Sequence, residues 1–129
     1  MRIGISGICG RMGRRILSLA REDVVFDVVF GLEREGHNEV GKTIEGVKVT
    51  DDASVIKHCD CLIEFTNPSA TLEHIRYVIK YKKCAVIGTT GLDESQQEEI
   101  RAASEDIPIV FSPNMSVGVN VLFRFAHLI

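Results

Sequence analysis

Gly7-Ile8-Cys9-Gly10-Arg11-Met12-Gly13 is the stretch of the chain that decides the fold. Residues 1–6, which precede it, alternate apolar and small side chains, and this pattern predicts a short buried strand. Residues 14–20, which follow it, repeat apolar side chains along one side of a helix. Three glycines, each separated from the next by two residues, therefore stand at a strand-to-helix turn.

Such a turn suits a phosphate group. Gly7 permits a tight turn, Gly10 lets the main chain approach a pyrophosphate, and Gly13 allows the helix to lie close to the strand. The first N–H groups of the helix and its positive dipole end would then face the anion. A tight turn without any ligand is the alternative interpretation of a glycine triplet taken alone.

A second strand that ends in an acidic residue about 20 positions further on is the context expected of a dinucleotide site. Residues 24–30 predict that strand, and Glu33 follows it, 20 positions after Gly13. A carboxylate there can accept both ribose hydroxyls of NAD, and the neighbouring Arg34 can hold the 2′-phosphate of NADP. We therefore expect tolerance of both NADH and NADPH, the alternative being that residues 33–35 are a solvated charge run.

Strands and helices alternate along the remainder of the chain. Short strands are predicted over 44–50, 61–66, 84–87 and 107–111, helices over 51–58, 68–82, 93–105 and 117–129, and a surface loop over 33–42. The central strands are continuous apolar runs, which is typical of strands buried on both faces. The pattern predicts an α/β fold, a doubly wound parallel sheet with helices on both faces.

Small and polar residues stand at the carboxyl ends of the predicted strands, where ligands bind in such sheets. Besides the glycine turn and Glu33-Arg34, these ends deliver Phe65, Thr66, Asn67, Gly88, Thr89, Thr90, Ser112, Pro113, Asn114 and Met115. Hydroxyls and amides of this kind suit a nucleotide. The sequence pattern contains no spacing typical of a metal site, so no metal is expected, and we expect His58 and His74 on helix surfaces.

Composition narrows the class of protein. The chain has 129 residues, enough for one domain with a real core, and its net charge of −3 gives no reason to expect nucleic acid as a partner. No apolar run approaches the roughly 20 residues of a membrane helix, and the first residues lack the layout of a signal peptide. We expect a cytoplasmic protein whose four cysteines are free thiols with structural roles.

Five blocks resemble, in order, those of the 4-hydroxy-tetrahydrodipicolinate reductases, also called dihydrodipicolinate reductases, of the diaminopimelate route to lysine. The blocks are Gly7-x-x-Gly10-Arg11-Met12-Gly13, Glu33-Arg34-Glu35-Gly36, Phe65-Thr66-x-Pro68, Val86-Ile87-Gly88-Thr89-Thr90-Gly91 and Asn114-x-Ser116-x-Gly118-Val119-Asn120-Val121-Leu122. The resemblance covers essentially the whole chain. It implies a Rossmann-type oxidoreductase domain that binds NADH or NADPH.

The resemblance also implies roles for individual residues. The turn from Gly7 to Met12, with Ile8, Cys9, Gly10 and Arg11 inside it, would hold the pyrophosphate, and Glu33 and Arg34 would meet the adenosine ribose. Gly88 and Thr89 would lie beside the nicotinamide, with Thr90 also near the substrate, and residues 112–115 would line the nicotinamide side. Glu64 stands where the family has Asp, so the carboxylate has a longer reach here.

Members of the family carry a second domain with the pattern Glu-x-His-His-x-x-Lys-x-Asp-x-Pro-Ser-Gly-Thr, which binds the dicarboxylic substrate and supplies the acid catalysts and most tetramer contacts. These 129 residues contain no such stretch, so we assign no catalytic residue to them. We expect residues 1–129 to be the cofactor half of a homotetrameric reductase, inactive alone, with roughly 117–129 starting the crossover. A free-standing NAD(P)H-sensing module and a reductase of another small substrate are the alternatives.

Overall fold

The computed structural model describes residues 1–116, so the helix expected over 117–129 lies outside the described residues. Strands and helices follow one another along the chain much as the sequence predicts. In order they are β1 (Arg2–Ser6), α1 (Arg11–Glu22), β2 (Asp27–Leu32), β3 (Thr43–Ile44), β4 (Val47–Thr50), a 3₁₀ helix (Ala53–His58), β5 (Cys61–Glu64), α2 (Pro68–Lys80), β6 (Cys84–Ile87), α3 (Glu94–Ala103) and β7 (Ile109–Phe111).

The seven strands of the described part of the chain form one sheet in the order β3-β4-β2-β1-β5-β6-β7. Every neighbouring pair is parallel except β3 and β4. Ile5 in the middle of β1 pairs with Gly31 on one side and with Ile63 on the other. The chain therefore winds outward in both directions from β1 and β5, and this confirms the predicted doubly wound sheet.

Helices cover both faces of the sheet. On one face Leu17 of α1 packs in a cluster with Ile5 and Ile8. On the other face Leu62 of β5 belongs to a larger cluster with residues of α2 and α3, among them Val78. Neighbouring residues of β5 point to opposite faces, which explains why the central strands are apolar throughout instead of alternating.

Capping residues set the start of two helices as the sequence predicts. The Asn67 side chain accepts a hydrogen bond from the N–H of Ala70, and Pro68 occupies the first turn of α2. Asp93 and Gln96 form a reciprocal capping box at the start of α3. Both helices therefore begin immediately beyond the loops that follow β5 and β6, which fixes those loops at the edge of the sheet.

The predicted start of the second strand is wrong. Residues 24–26 are exposed and lie outside β2, which begins at Asp27. The carboxylate of Asp23 accepts the N–H of Val25 at 3.0 Å, and the carbonyl of Asp23 accepts the N–H of Phe26 at 3.1 Å. This side-chain turn takes up the N–H groups that a strand would use, so the apolar residues 24–26 do not extend the sheet.

The single strand predicted over 44–50 is also wrong, because this segment is a hairpin. β3 and β4 pair antiparallel, and Glu45 and Gly46 between them have φ values of 47° and 81°. Two consecutive positive φ values are typical of the two-residue turns that join antiparallel strands. The expected helix over 51–58 is a 3₁₀ helix, begun by the Asp52 side chain accepting the N–H of Ser54.

Two glycines of the turn after β1 are required by close packing. A Cβ atom at Gly13 would lie 2.1 Å from the carbonyl oxygen of Gly7 and 2.6 Å from the Cα of Ile8. Gly7 has φ +75°, and a Cβ there would lie 2.3 Å from the carbonyl oxygen of Phe65. Gly10 differs, because its Cβ would meet only the carbonyl oxygen of Gly7, at 3.3 Å. Gly7 and Gly13 thus hold the turn against its neighbours, whereas a Cβ atom at Gly10 would meet a single backbone atom at a distance that a small shift relieves.

We predict that Gly13→Ala lowers the free energy of unfolding by about 1–3 kcal/mol, because the added methyl group has no room between α1 and the turn. Gly10→Ala is the matched control, and its cost should stay below about 1 kcal/mol, since its methyl group meets one backbone oxygen at 3.3 Å and its φ of −73° suits alanine. Urea unfolding followed by circular dichroism measures both changes. Equal losses in the two variants would contradict this assignment of packing roles.

Candidate functional site

Two adjoining cavities open at the carboxyl edge of the sheet, with volumes of about 620 and 780 Å³. Gly7, Gly10, Phe65 and Thr66 line both of them. The first cavity extends from this shared wall towards the end of β2, and the second extends towards the loops after β6 and β7. The two together form one cleft along the strand ends, which is where ligands bind in doubly wound sheets.

The cleft gathers most of the residues expected from the sequence. Those that line it are Gly7, Cys9, Gly10, Arg11, Met12, Glu33, Arg34, Phe65, Thr66, Asn67, Gly88, Thr89, Thr90, Pro113, Asn114 and Met115. Ile8 and Ser112 line neither of these two cavities. The Ile8 side chain is fully buried in the core, and the Ser112 hydroxyl donates a hydrogen bond to the carbonyl of Asn114. Contact between any of these residues and a cofactor stays a prediction.

The amino end of α1 opens onto both cavities. Gly10 is the capping residue, no side chain within residues 1–116 caps the helix, and the first helical turn contains no acidic residue. The N–H groups at the start of a helix have no partner within the helix. Because Arg11 and Met12 are exposed here, the first turn of α1 presents N–H groups and a positive dipole end to the cleft.

Glu33 lies directly against the glycine turn. Its Oε1 accepts a hydrogen bond of 2.8 Å from the backbone N–H of Cys9, which joins the end of β2 to the turn after β1. Arg34 is exposed and lines the same cavity. On the other side of the turn, Nε of Arg14 donates to the carbonyl of Cys9 at 3.1 Å. The carboxylate and the guanidinium of residues 33 and 34 thus share the rim of the first cavity, as the sequence predicts.

Cys9, Glu33 and His37 place possible metal-ligand atoms within 4.8 Å of one another in the first cavity. Burial, and after it the nearby charge of Glu33, raise the pKa of the Cys9 thiol to about 11. Nδ1 of His37 accepts the N–H of Glu39 at 3.1 Å. Because Oε1 of Glu33 already accepts the N–H of Cys9 and Nδ1 of His37 that of Glu39, we assign no metal to these three side chains.

A buried polar network, formed by Ser6, Glu64, Thr66, Thr71, His74 and Thr89, underlies the cleft. Glu64 at the end of β5 is fully buried, and its Oε2 lies 2.8 Å from Nδ1 of His74. Its Oε1 accepts hydrogen bonds from the hydroxyls of Thr66 and Thr71. Ser6 Oγ lies 3.1 Å from the same His74 nitrogen.

The prediction that His74 is a surface group is therefore wrong, since only 13% of its side chain is exposed and it pairs with Glu64. His58 is exposed, as predicted. Thr71 and His74 lie one turn apart on α2, on the side that faces the sheet. A carboxylate that ends an apolar strand needs buried partners, and this requirement was the signal in the sequence that could have identified Thr71 and His74.

Comparison with known proteins identifies relatives over nearly the whole chain. Residues 1–115 match the family model "Dihydrodipicolinate reductase, N-terminus". The chain is 38% identical to the 4-hydroxy-tetrahydrodipicolinate reductase of Bordetella pertussis, with 98% of the chain and 50% of the relative covered. It is 41% identical to the enzyme of the same name from Syntrophobacter fumaroxidans, with 96% and 50% covered. The chain thus spans about half the length of the curated relatives it matches.

Solved structures give the same picture of the fold. A dipicolinate-bound dihydrodipicolinate reductase from Paenisporosarcina sp. TG-14 aligns with a TM-score of 0.82 at 22% identity, over 99% of this chain and 52% of the other. An S. aureus homoserine dehydrogenase aligns with a TM-score of 0.73 at 17% identity, over 92% of this chain and 33% of the other.

Within residues 1–116, no helix has both the length and the apolar character needed to cross a membrane.

We predict that Cys9 reacts slowly with iodoacetamide, because a pKa of about 11 leaves about a hundredfold less thiolate at pH 8 than the ordinary value of 9.0 does. The rate should rise as the pH approaches 11. Glu33→Gln removes a neighbouring negative charge, which lowers the pKa and speeds alkylation at Cys9, whereas Glu35→Gln is the matched control. Mass spectrometry of alkylated peptides measures the rates, and a wild-type rate equal to that of the unfolded chain would contradict the prediction.

Proposed function

The chain belongs to the dihydrodipicolinate reductase family, whose N-terminal domain it matches, and on that premise we propose that it is the cofactor half of a 4-hydroxy-tetrahydrodipicolinate reductase. The matched domain is the dinucleotide-binding domain of the family, and its cofactor is NAD(P)H. One observation carries the proposal: an uncapped helix end and the pair Glu33-Arg34 meet at the carboxyl edge of a doubly wound sheet.

The residues present fit a dinucleotide. Gly10 lacks the side chain that would stand over the first turn of α1, so a diphosphate can reach the N–H groups there. The cleft continues in both directions from this point, and each of its cavities has a volume ordinary for a small-molecule site. In this proposal Gly7, Gly10, Arg11 and Met12 hold the diphosphate.

The two ends of the cleft differ in the chemistry they offer. At one end Glu33 offers a carboxylate to ribose hydroxyls, and Arg34 offers a guanidinium to a 2′-phosphate. At the other end Thr90 and Asn114 bring a hydroxyl and an amide to the second cavity. We infer that this second end receives the nicotinamide, with Thr90 nearest the substrate.

The cofactor supplies hydride to the substrate when it is bound. The chain's own part is to bind and orient, since correct placement of donor and acceptor is what such a site contributes to rate. We propose that the substrate is 4-hydroxy-tetrahydrodipicolinate, the compound named in the curated relatives. We propose further that residues beyond this chain hold that substrate and supply the proton, and that the whole protein is a cytoplasmic homotetramer that serves lysine biosynthesis through diaminopimelate.

We predict that calorimetric titration detects binding of both NADH and NADPH, with affinities within about a hundredfold of each other, since both ribose-binding groups are present. Arg34→Ala should weaken NADPH about tenfold or more and leave NADH nearly unchanged, because a charge-assisted bond to the 2′-phosphate is lost. Glu33→Gln should weaken the binding of NADH more than that of NADPH.

Arg15→Ala is the matched control, because Arg15 is an exposed arginine of α1 outside both cavities. Folded protein that binds neither coenzyme would refute the proposed function.

We also predict that the 129 residues alone oxidise almost no NADH or NADPH in the presence of 4-hydroxy-tetrahydrodipicolinate, because the described cleft binds and orients the cofactor without an assigned proton donor. Absorbance at the nicotinamide band follows the reaction, and an intact curated relative serves as the positive control. Turnover by these residues comparable to that of the relative would show that the substrate site lies within this chain.

A further inference from the structure

We propose that Glu64 is a positioning residue. Through Thr71 and Thr89 it holds the loop over residues 88–90 in its observed conformation, and this loop lines the nicotinamide end of the cleft. The inference rests on the proposed function, because it assigns a role at the same dinucleotide site. Glu64 itself lines neither cavity of the cleft. It acts through the buried network described above.

The carboxylate fixes the direction of the hydrogen bonds around it. The Thr71 hydroxyl, 3.4 Å from Oε1 of Glu64, donates its single proton to that oxygen. Thr71 Oγ1 can then only accept from Thr89 Oγ1, which lies 2.7 Å away. The Thr89 hydroxyl in turn donates to Thr71 and accepts the backbone N–H of Thr66 at 3.1 Å. One buried carboxylate oxygen thereby fixes the orientation of two successive hydroxyls.

This chain holds Thr89 inside the protein. Thr89 is only 2% exposed although it stands in the loop after β6 and borders the second cavity, whereas the next residue, Thr90, is exposed at that cavity. The start of the loop is also held, because the N–H of Gly88 donates to the carbonyl of Glu64 at 2.9 Å and the ring of Phe65 fills the place of a Gly88 side chain. When Thr89 points inward, Thr90 is directed into the cleft.

The Glu64 carboxylate is also connected to the first cavity of the cleft, through a second set of hydrogen bonds. His74 and Ser6 connect Oε2 of Glu64 to the end of β1, immediately before Gly7. In the described residues no buried side-chain nitrogen or oxygen lacks a hydrogen-bond partner. Loss of the Thr89 hydroxyl takes away the acceptor of the Thr66 N–H and the donor to Thr71, and such a loss is felt at the loop that these bonds hold.

The test compares two ligands that differ only at the nicotinamide end, NADH and ADP-ribose, by calorimetric titration of the 129-residue chain. Thr89→Val keeps the side-chain volume and removes the hydroxyl. We expect it to weaken NADH about five- to tenfold, the usual effect of one lost hydrogen bond, while the affinity for ADP-ribose stays within about twofold of wild type. Thr71→Val and Glu64→Gln should shift the same ratio, and Thr89→Ser should restore it.

Thr43→Val is the matched control, because Thr43 is exposed on β3 and lies outside both cavities. An equal loss for NADH and ADP-ribose in Thr89→Val would show a merely structural role, and no loss for either would show no role; both results overturn the inference. If Glu64→Gln fails to fold, the threonine variants decide the question. Folded wild type that binds neither ligand would overturn the proposed function together with this inference, whereas wild-type binding with an unchanged ratio in every variant overturns the inference alone.

Discussion

The site depends on one steric constraint, the contact between helix α1 and the turn that leads into it. With no side chain at Gly13, the helix lies so close that a Cβ atom would stand 2.1 Å from the carbonyl oxygen of Gly7. That contact places the open end of the helix at the end of a central strand. Glu33 then reaches the turn from β2 and bonds to the N–H of Cys9. The space between the end of α1 and the carboxylate of Glu33 therefore depends on the lack of a side chain at Gly13.

Local patterns were enough to predict the parallel sheet and most of the cleft. Continuous apolar runs mark strands buried on both faces, and the glycine spacing followed by Glu33 marks the turn and its partner strand. The failures have physical causes. A side-chain turn at Asp23 competes with the start of the second strand. A positive φ at Glu45 reverses the chain within 44–50, where apolar and polar residues alternate as they do in a strand. Neither conformation is visible in hydrophobic periodicity alone.

The role of His74 was missed for a different reason, because it depends on a contact between separate elements. Glu64 and His74 are ten positions apart and meet only when α2 packs on the sheet. A fully buried carboxylate loses its hydration, and hydrogen bonds from His74 and two threonines offset that loss. Glu64 is thus accommodated at the end of β5, since its side chain ends within hydrogen-bond distance of Thr71 and His74 on α2.

The hairpin of β3 and β4 also bears on how the molecule behaves in concentrated solution. Exposed sheet edges are templates for further strands, and long flat ones promote fibrous aggregation. Here the outermost strand on that side is only two residues long, and it turns back at Glu45 and Gly46. An incoming chain would find too little backbone to pair with. The hairpin turn at Glu45 and Gly46, which the sequence pattern did not predict, therefore protects this edge of the sheet from pairing with other chains.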